Sequence, residues 1–303
     1  MKLKTTLEQW LTLQAIDEAG SIQAAASRVY KSHTTLLYSV RKLEDQLGVA
    51  LVTVKGRRAV LTEQGHTLLR RASPMLEQAQ SLESIADQLV QGMESEIRIT
   101  MDHLCNREWL YQPLAEFMAH NSATSVHIRE TSLSATQQAV TEQQSEIAIV
   151  TLPITNYQAE AFGQVLMRPV VAPHHELAQR GDIHMDDLLT ATQIVIRDLL
   201  PDEAEFSRED KQNVGWLRSQ RRITVDNFDH ALSAVRAGVG FCRLPDHVLA
   251  KAENADLVRL NLQGGQQYQV PLHLILPCQA CTGPAAQALY NCLLVHARTR
   301  LQL

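Results

Sequence analysis

The stretch that most constrains this 303-residue chain runs from Gly20 to Gly48, GSIQAAASRVYKSHTTLLYSVRKLEDQLG. It reads as two short helices joined by a tight polar turn at Tyr30-Lys31-Ser32. Before it, Leu7, Trp10, Leu11, Leu13 and Ile16 mark one face of a first helix that Gly20 stops. Ser21 offers an N-cap oxygen to the second helix, where Ala24, Ala25 and Ala26 let a neighbour approach closely. In the third, Leu36, Leu37, Val40, Leu43 and Leu47 are expected to turn inward. Ser32, His33, Thr34, Thr35, Tyr38, Ser39, Arg41 and Lys42 are then left to meet solvent or a ligand, with Ser21 and Gln23 on the helix before. Hydroxyls and amides near a helix N-terminus suit base edges, and Arg and Lys suit phosphates. This is the layout of a helix-turn-helix with one helix in the DNA major groove. A three-helix surface with solvated charges is the competing reading.

Residues 51–62, LVTVKGRRAVLT, read as two short strands around Lys55-Gly56-Arg57. Such a wing places Lys55, Arg57 and Arg58 against phosphate or in the minor groove. Charge supports it. Residues 1–71 hold eleven Lys/Arg against six Asp/Glu, a net of +5, while the whole chain carries −5. A basic head on an acidic body favours DNA contact through one surface. Beyond it, Leu68, Ala72, Met75, Ala79, Leu82, Ala86 and Leu89 recur in steps of four and three, a heptad seam whose natural partner is a second copy. Packing on its own domain is the alternative. Pro74 inside the seam predicts a kink or break near Ala72, and Gln91-Gly92 closes the helix.

From residue 95, strands and helices alternate. Strands are expected at 96–100, 125–130, 146–150, 193–197, 222–225 and 270–276, with helices around 106–120, 135–143, 229–237 and 285–300. Ser134 with Gln137 reads as a capping box. The alternation predicts an α/β domain on a parallel sheet.

The order of motifs resembles a LysR-type transcriptional regulator. Gly20-Ser21, Ala25-Ala26, Ser32, Leu43-Glu44, Leu47-Gly48, Leu51, Arg57-Arg58, Leu61-Thr62 and Gly65 match its N-terminal signature. His33-Thr34 replaces the usual Gln-Pro, Leu37 a usual serine, and Val52 and Val54 a usual Phe and Arg. Farther on, Pro173 to Ala178 is similar to the family's His-Pro-Leu segment. Asp226-Asn227, Ala237 to Gly240 and Leu244-Pro245 are similar to its Gly-x-Gly and Leu-Pro stretch.

The resemblance implies a winged helix-turn-helix domain (1–62), a linker and dimerisation helix (63–92) and an effector-binding domain (93–303) like a two-lobed periplasmic binding protein. Lobe I would take about 94–166 and 268–303, and lobe II about 167–267. It also implies antiparallel linker pairing, commonly within a homotetramer, and a partner list of double-stranded promoter DNA, a second copy and an unknown small-molecule effector.

Ligands of such folds sit at the carboxyl ends of strands and amino ends of helices. That rule puts Thr100, Met101, Asp102, His103, Thr131, Ser132 and Thr151 on one side of a cleft, and Arg197, Asp198, Leu199, Asp226, Asn227 and Phe228 on the other. The competing reading of each is a cap or strand-end polar group already satisfied by backbone. Helix N-termini favour anions, whereas a free carboxylate at Asp102 would repel one unless it serves as a cap.

No apolar run approaches a membrane span and no signal peptide opens the chain, so a cytoplasmic protein with no membrane partner is expected. Its five cysteines should then be reduced. Cys278 and Cys281 form a CxxC with no evident zinc partners, Cys242 reads as core, and Cys105 is placed at a helix N-terminus where a thiol pKa falls. His174-His175 reads as a solvated pair, and no metal cluster or cofactor is expected. No GxSxG, phosphate-binding Gly loop or paired-carboxylate spacing supports an enzyme. The alternatives to an effector-responsive regulator are a thiol-sensing regulator, an architectural DNA-binding protein whose C-terminal half only oligomerises, and a solute-binding protein or enzyme with a DNA tether.

Overall fold

The computed structural model describes residues 3–55, 58–151, 154–198, 217, 219–263 and 268–302. They form two compact units, Met1–Gln88 and Leu89–Leu303. The first holds α1 (Leu7–Ala19), α2 (Ile22–Arg28), α3 (His33–Leu47), β1 (Val52–Lys55), β2 (Arg58–Leu61) and most of α4 (Glu63–Val90). Thr6 and Gln9 close a capping box on α1 that the sequence reading did not include, and Ser21 and Ser32 cap α2 and α3. Trp10, Leu13, Ile16, Leu36, Val40, Leu43 and Leu51 fill the core, whereas Leu7, Leu11 and Leu47 are exposed, contrary to expectation. On α1 the place of Leu7 and Leu11 is taken by Gln9 and Thr12, both hydrogen-bonded, Gln9 to Gln46 at 2.8 Å and Thr12 to the Glu8 carbonyl at 2.8 Å.

Four backbone contacts lock α3 to the wing and α4. Gly48 ends α3 at φ 70°, the left-handed turn that favours glycine. The Glu44 carboxylate then accepts the N–H groups of Leu51 (2.7 Å) and Val52 (3.0 Å). Thr62 Oγ1 accepts the Gly65 N–H at 2.9 Å and donates to the Ala50 carbonyl at 2.8 Å. Gly65 lies so close to Leu51 that a Cβ would stand 2.2 Å from its carbonyl oxygen.

Of the kink or break expected near Ala72, the break is absent: α4 is continuous from Glu63 to Val90 with Pro74 inside it. The start of α4 packs on its own domain through Leu69, Ala72 and Leu76. Farther along, Met75, Leu82 and Leu89 of the heptad seam are exposed.

Among the described residues, the second unit holds one nine-stranded sheet flanked by helices. Its elements are β3 (Glu96–Asp102), α5 (Glu108–His120), β4 (Ser125–Thr131), α6 (Leu133–Thr141), β5 (Ile147–Val150), β6 (Ala159–Val171), α7 (Met185–Thr190), β7 (Thr192–Ile196), β8 (Arg221–Val225), α8 (Phe228–Arg236), β9 (Phe241–Pro245), α9 (Asp246–Leu249), β10 (Val258–Arg259), β11 (Tyr268–Ile275) and α10 (Pro284–Leu301). The strand order is β4-β3-β5-β11-β6-β9-β7-β8, with β10 also on β6.

Parallel pairing holds around β3 and β7, as the alternation predicts. Between those groups β11 and β6 run antiparallel, so the sheet is mixed. Strand β6 is shared: its first part pairs with β11 and its last with β9 and β10. It was missed because Gly163 and Pro169 punctuate it. Separate cores fill the two sides, Ile97, Ile99, Phe162, Leu272 and Leu289 on one, Val170, Ile194, Ala231, Val235 and Leu244 on the other.

Gly65→Ala forces its methyl group against the Leu51 backbone, which has no free rotamer to yield. The substitution should cost about 1–3 kcal/mol of stability in the N-terminal unit. Chemical unfolding followed by circular dichroism checks this; an unchanged midpoint refutes the contact.

Candidate functional site

Two surfaces collect the residues picked from sequence. On the first unit, Gln23, Ser32, His33, Thr34, Thr35, Tyr38, Arg41, Lys42 and Arg58 are all exposed, and Tyr38 stands 68 % accessible. Ser21 and Ser39 are half-buried. Ser21 and Ser32 are partly committed, because their hydroxyls accept the Ala24 (3.2 Å) and Thr35 (3.1 Å) N–H groups. Ser32 Oγ also meets the hydroxyls of Thr34 and Thr35, so one hydrogen-bonded cluster of three opens α3.

The cations divide into two sets. Arg28 and Lys31 pair with Glu18 and Glu8. Among the described residues, Arg41, Lys42 and Arg58 have no carboxylate in ion-pair range and remain available to an anionic partner. Gly56, Arg57 and the Lys55 side chain lie outside the described residues.

The second surface is a cavity of about 60 Å³ between the two sides of the sheet, lined by His103, Leu104, Leu133, Met167, Ile196, Phe228, Arg243 and Tyr268 among others. Behind the lining residues Leu104 and Leu133, Asp102 does not line the cavity; it is fully buried and is a cap after all. Its Oδ1 accepts the Leu104 N–H at 3.0 Å, and its Oδ2 accepts the Leu133 N–H and the Thr151 hydroxyl, both at 3.0 Å. Thr131 joins through Thr136 at 2.8 Å, and Thr136 reaches Asp102 at 3.5 Å.

From the far side, buried Asp198 accepts the Ser134 N–H at 3.1 Å and the Ser132 hydroxyl at 3.4 Å. Two carboxylates therefore take the amino end of α6, and the expected Ser134–Gln137 capping box is replaced by them. Leu133 begins that helix at φ 40°, a conformation costing a leucine about 1–3 kcal/mol. His103 meets Phe228 edge to face at 5.1 Å. Burial lowers the pKa of His103 against the pull of Asp102, which keeps the ring neutral at pH 7.

Other picks fall elsewhere. Thr100 and Met101 are buried in the sheet and do not line the cavity, because inward positions of a strand belong to the core. Arg197 is exposed and pairs with Asp226 at 2.5 Å, and Asn227 caps α8 through the His230 N–H at 2.9 Å. Leu199 lies outside the described residues. Leu104, Leu133, Met167, Arg243 and Tyr268 were not picked. Only Arg243, a cation inside the apolar run of β9, carried a signal for it.

The thiol expectations change too. Cys105 is buried and its thiol is pushed up to about 12 by burial, the opposite of an activated cysteine. Cys242 is buried with the same direction and value. Cys278 and Cys281, expected reduced, are joined in a disulfide, since a short 3₁₀ turn at Gln279–Cys281 brings their Cα atoms to 5.3 Å. His175 is half-buried and its Nδ1 accepts the Leu177 N–H at 3.1 Å, so it is a cap rather than a solvated group.

Among the described residues one trio has metal-ligating atoms within 4.8 Å of one another: Glu116, Cys292 and His296, on α5 and α10. His296 Nε2 lies 2.9 Å from the Glu116 carboxylate, the geometry of an ion pair. No helix among the described residues is long and apolar enough to cross a membrane.

Residues 7–66 match the bacterial regulatory helix-turn-helix protein, lysR family, and residues 91–298 match the LysR substrate binding domain. The chain belongs to the LysR family. It is a LysR-type transcriptional regulator, with a DNA-binding helix-turn-helix unit followed by a two-lobed effector-binding domain like a periplasmic binding protein. Among its relatives, the uncharacterized HTH-type transcriptional regulator YeeY of Escherichia coli (strain K12) is 27 % identical, over 81 % of this chain and 79 % of YeeY. The HTH-type transcriptional regulator PunR of the same strain is 24 % identical, over 78 % and 76 %.

Among solved LysR-like structures, the Corynebacterium glutamicum OxyR C206 mutant has a TM-score of 0.51 at 18 % identity, covering 99 % of this chain and 94 % of that one. The Vibrio cholerae virulence activator AphB gives 0.50 at 17 %, covering 96 % and 99 %. Both are likenesses of fold.

His247, packed beside Asp246, Lys251 and Arg107, has its pKa lowered to about 4, chiefly by burial. The unfolded chain takes that proton near 6.5 and the folded chain near 4. Stability should fall as pH drops through that window and be level above it. Thermal unfolding between pH 7.5 and 5 should show a decline that His247→Gln flattens; an equal slope in both proteins refutes the assignment.

Proposed function

We propose that the exposed start of α3 reads promoter bases through His33, Thr34, Thr35 and Tyr38, while Arg41, Lys42 and the wing cations Lys55, Arg57 and Arg58 hold phosphates. The absence of ion-pair partners for Arg41, Lys42 and Arg58 among the described residues supports this division, because cations paired internally release fewer counterions on DNA. The exposed seam of α4 supports self-association through that helix, with a tetramer as the working assembly. The protein works in the cytoplasm and performs no catalysis.

Arg41→Ala should weaken promoter binding uniformly across sequences and lower the salt slope by about 1. Thr35→Ala should change sequence preference, by about 1–3 kcal/mol at the base concerned. Fluorescence anisotropy with matched and mismatched promoter duplexes across a salt series reads both. Salt slopes and preferences identical to the parent protein reject the assignment.

The effector enters the cavity between the lobes, and Asp198 is the internal group it displaces. The observation that carries this is the reach of Asp198 across the cleft to the amino end of α6, where its carboxylate occupies the position a ligand acceptor group would take. Occupancy then shifts the balance between closed and open lobes, and with it the spacing of the paired DNA-binding heads. Asp198→Ala removes the internal group. It should change promoter affinity without effector and blunt the response to any compound that shifts the parent protein; unaltered affinity and response exclude Asp198 from the switch.

A further inference from the structure

Helices α5 and α10 share one core in the effector domain, and on their outer side three chemically different side chains meet. On α10, Cys292 and His296 are four residues apart and so lie on one face. From α5, the Glu116 carboxylate reaches both. Its Oε2 lies 2.9 Å from His296 Nε2 and 3.7 Å from Cys292 Sγ. All three ligating atoms are within 4.8 Å of one another.

An ion pair between Glu116 and His296 accounts for only part of this arrangement. Glu116 is exposed, and a pair that open to water adds little to stability. It also leaves Cys292 without a role. That residue is a half-buried thiol, a weak donor with the Pro113 carbonyl at 3.4 Å and the Glu116 carboxylate at 3.7 Å.

Metal coordination uses all three groups. Thiolate, imidazole and carboxylate are the donors zinc takes, whereas magnesium and calcium take oxygen. Zinc bonds of about 2.0–2.3 Å at tetrahedral angles hold neighbouring ligand atoms about 3.3–3.7 Å apart. The Cys292–Glu116 separation already meets that spacing. The Glu116–His296 pair needs to open slightly, which an exposed glutamate side chain allows. Once Cys292 gives its proton to solvent, the two negative charges of the set balance a dication. His296 and Pro113 also border an open groove between the helices, lined by Gln112 and Val295, which gives an ion a way in and leaves room for water.

We propose that Glu116, Cys292 and His296 form a zinc(II) site, with water as the fourth ligand, that clamps α5 to α10. None of the three lines the inter-lobe cavity, so the site is separate from the effector reading and does not depend on it.

The test uses the untagged full chain, stripped of metal and kept reduced by a phosphine, with zinc chloride and with cobalt(II) as a spectroscopic probe. Cobalt(II) should give a near-ultraviolet thiolate-to-metal charge-transfer band that Cys292→Ser removes and Cys278→Ser keeps. Zinc should displace the cobalt and raise the melting temperature of the parent protein by a few degrees. In titration calorimetry, Cys292→Ser, His296→Gln and Glu116→Gln should each weaken zinc binding at least about tenfold, the loss that removing even an outer partner of a ligand brings.

A charge-transfer band that persists in Cys292→Ser, or that disappears only in Cys278→Ser, would place the metal elsewhere and overturn the proposal. So would zinc binding confined to the millimolar range in the parent protein, or equal in the parent and all three variants. Circular dichroism of the metal-free variants should match the parent protein. If Cys292→Ser is misfolded, Cys292→Ala takes its place in the cobalt spectra and the calorimetry of His296→Gln decides.

Discussion

A single buried carboxylate, Asp102, joins the pieces of the effector domain that would otherwise end in unsatisfied backbone. It closes β3, receives the first N–H of α6 and draws in the hydroxyl of Thr151 beyond β5. A carboxyl group buried there without partners would be costly; here three donors lie within 3.0 Å of its oxygens. Its bond to Leu133 also offsets the left-handed backbone at that residue. Asp198 completes the same helix end from the opposite lobe, so the polarity of α6 is answered twice, once from within its lobe and once across the cleft.

The N-terminal unit rests on a similar economy of backbone groups. Glu44, Gly48, Leu51, Thr62 and Gly65 are each a motif position in the sequence, and each has a physical task. One carboxylate holds two wing N–H groups, one glycine turns left-handed, one leucine is sealed in the core, one hydroxyl starts α4 and one glycine leaves room for a carbonyl. The motif is therefore legible because it specifies a joint. Residues that vary around it, such as His33 and Thr34, sit on the exposed face, where packing sets no rule.

Legibility in the sequence followed burial and locality. A helix with a clear cap and strands with unbroken apolar runs were placed within a residue or two, as at α8, β5 and β7. Strand β6 was lost because its Gly163 and Pro169 look like punctuation, although Gly163 is required by the Trp109 ring lying 2.4 Å from where its Cβ would be. In the cleft, Asp102, His103, Ser132, Asp198 and Phe228 could be inferred from strand and helix ends. Met167 and Tyr268 could not, and Arg243 stood out only as a cation in an apolar run, since the three converge only when antiparallel β6, β9 and β11 are paired at the lobe junction. Cys105 shows the limit of arguing from position alone: proximity to a helix start lowers a thiol pKa in water, whereas burial here prevails and raises it.

Strand β6 sets what kind of motion the effector domain has available. Its thirteen residues belong to both lobes, pairing with β11 at one end and with β9 and β10 at the other. Lobes built on one continuous strand cannot slide past each other without tearing ladder hydrogen bonds. They can twist about it, and the turning point falls near Met167, where β6 passes from one partner to the next. The same residue borders the cavity, so the axle of the movement and the floor of the pocket are one piece of backbone. Whatever fills the pocket therefore acts with no lever arm between it and the hinge.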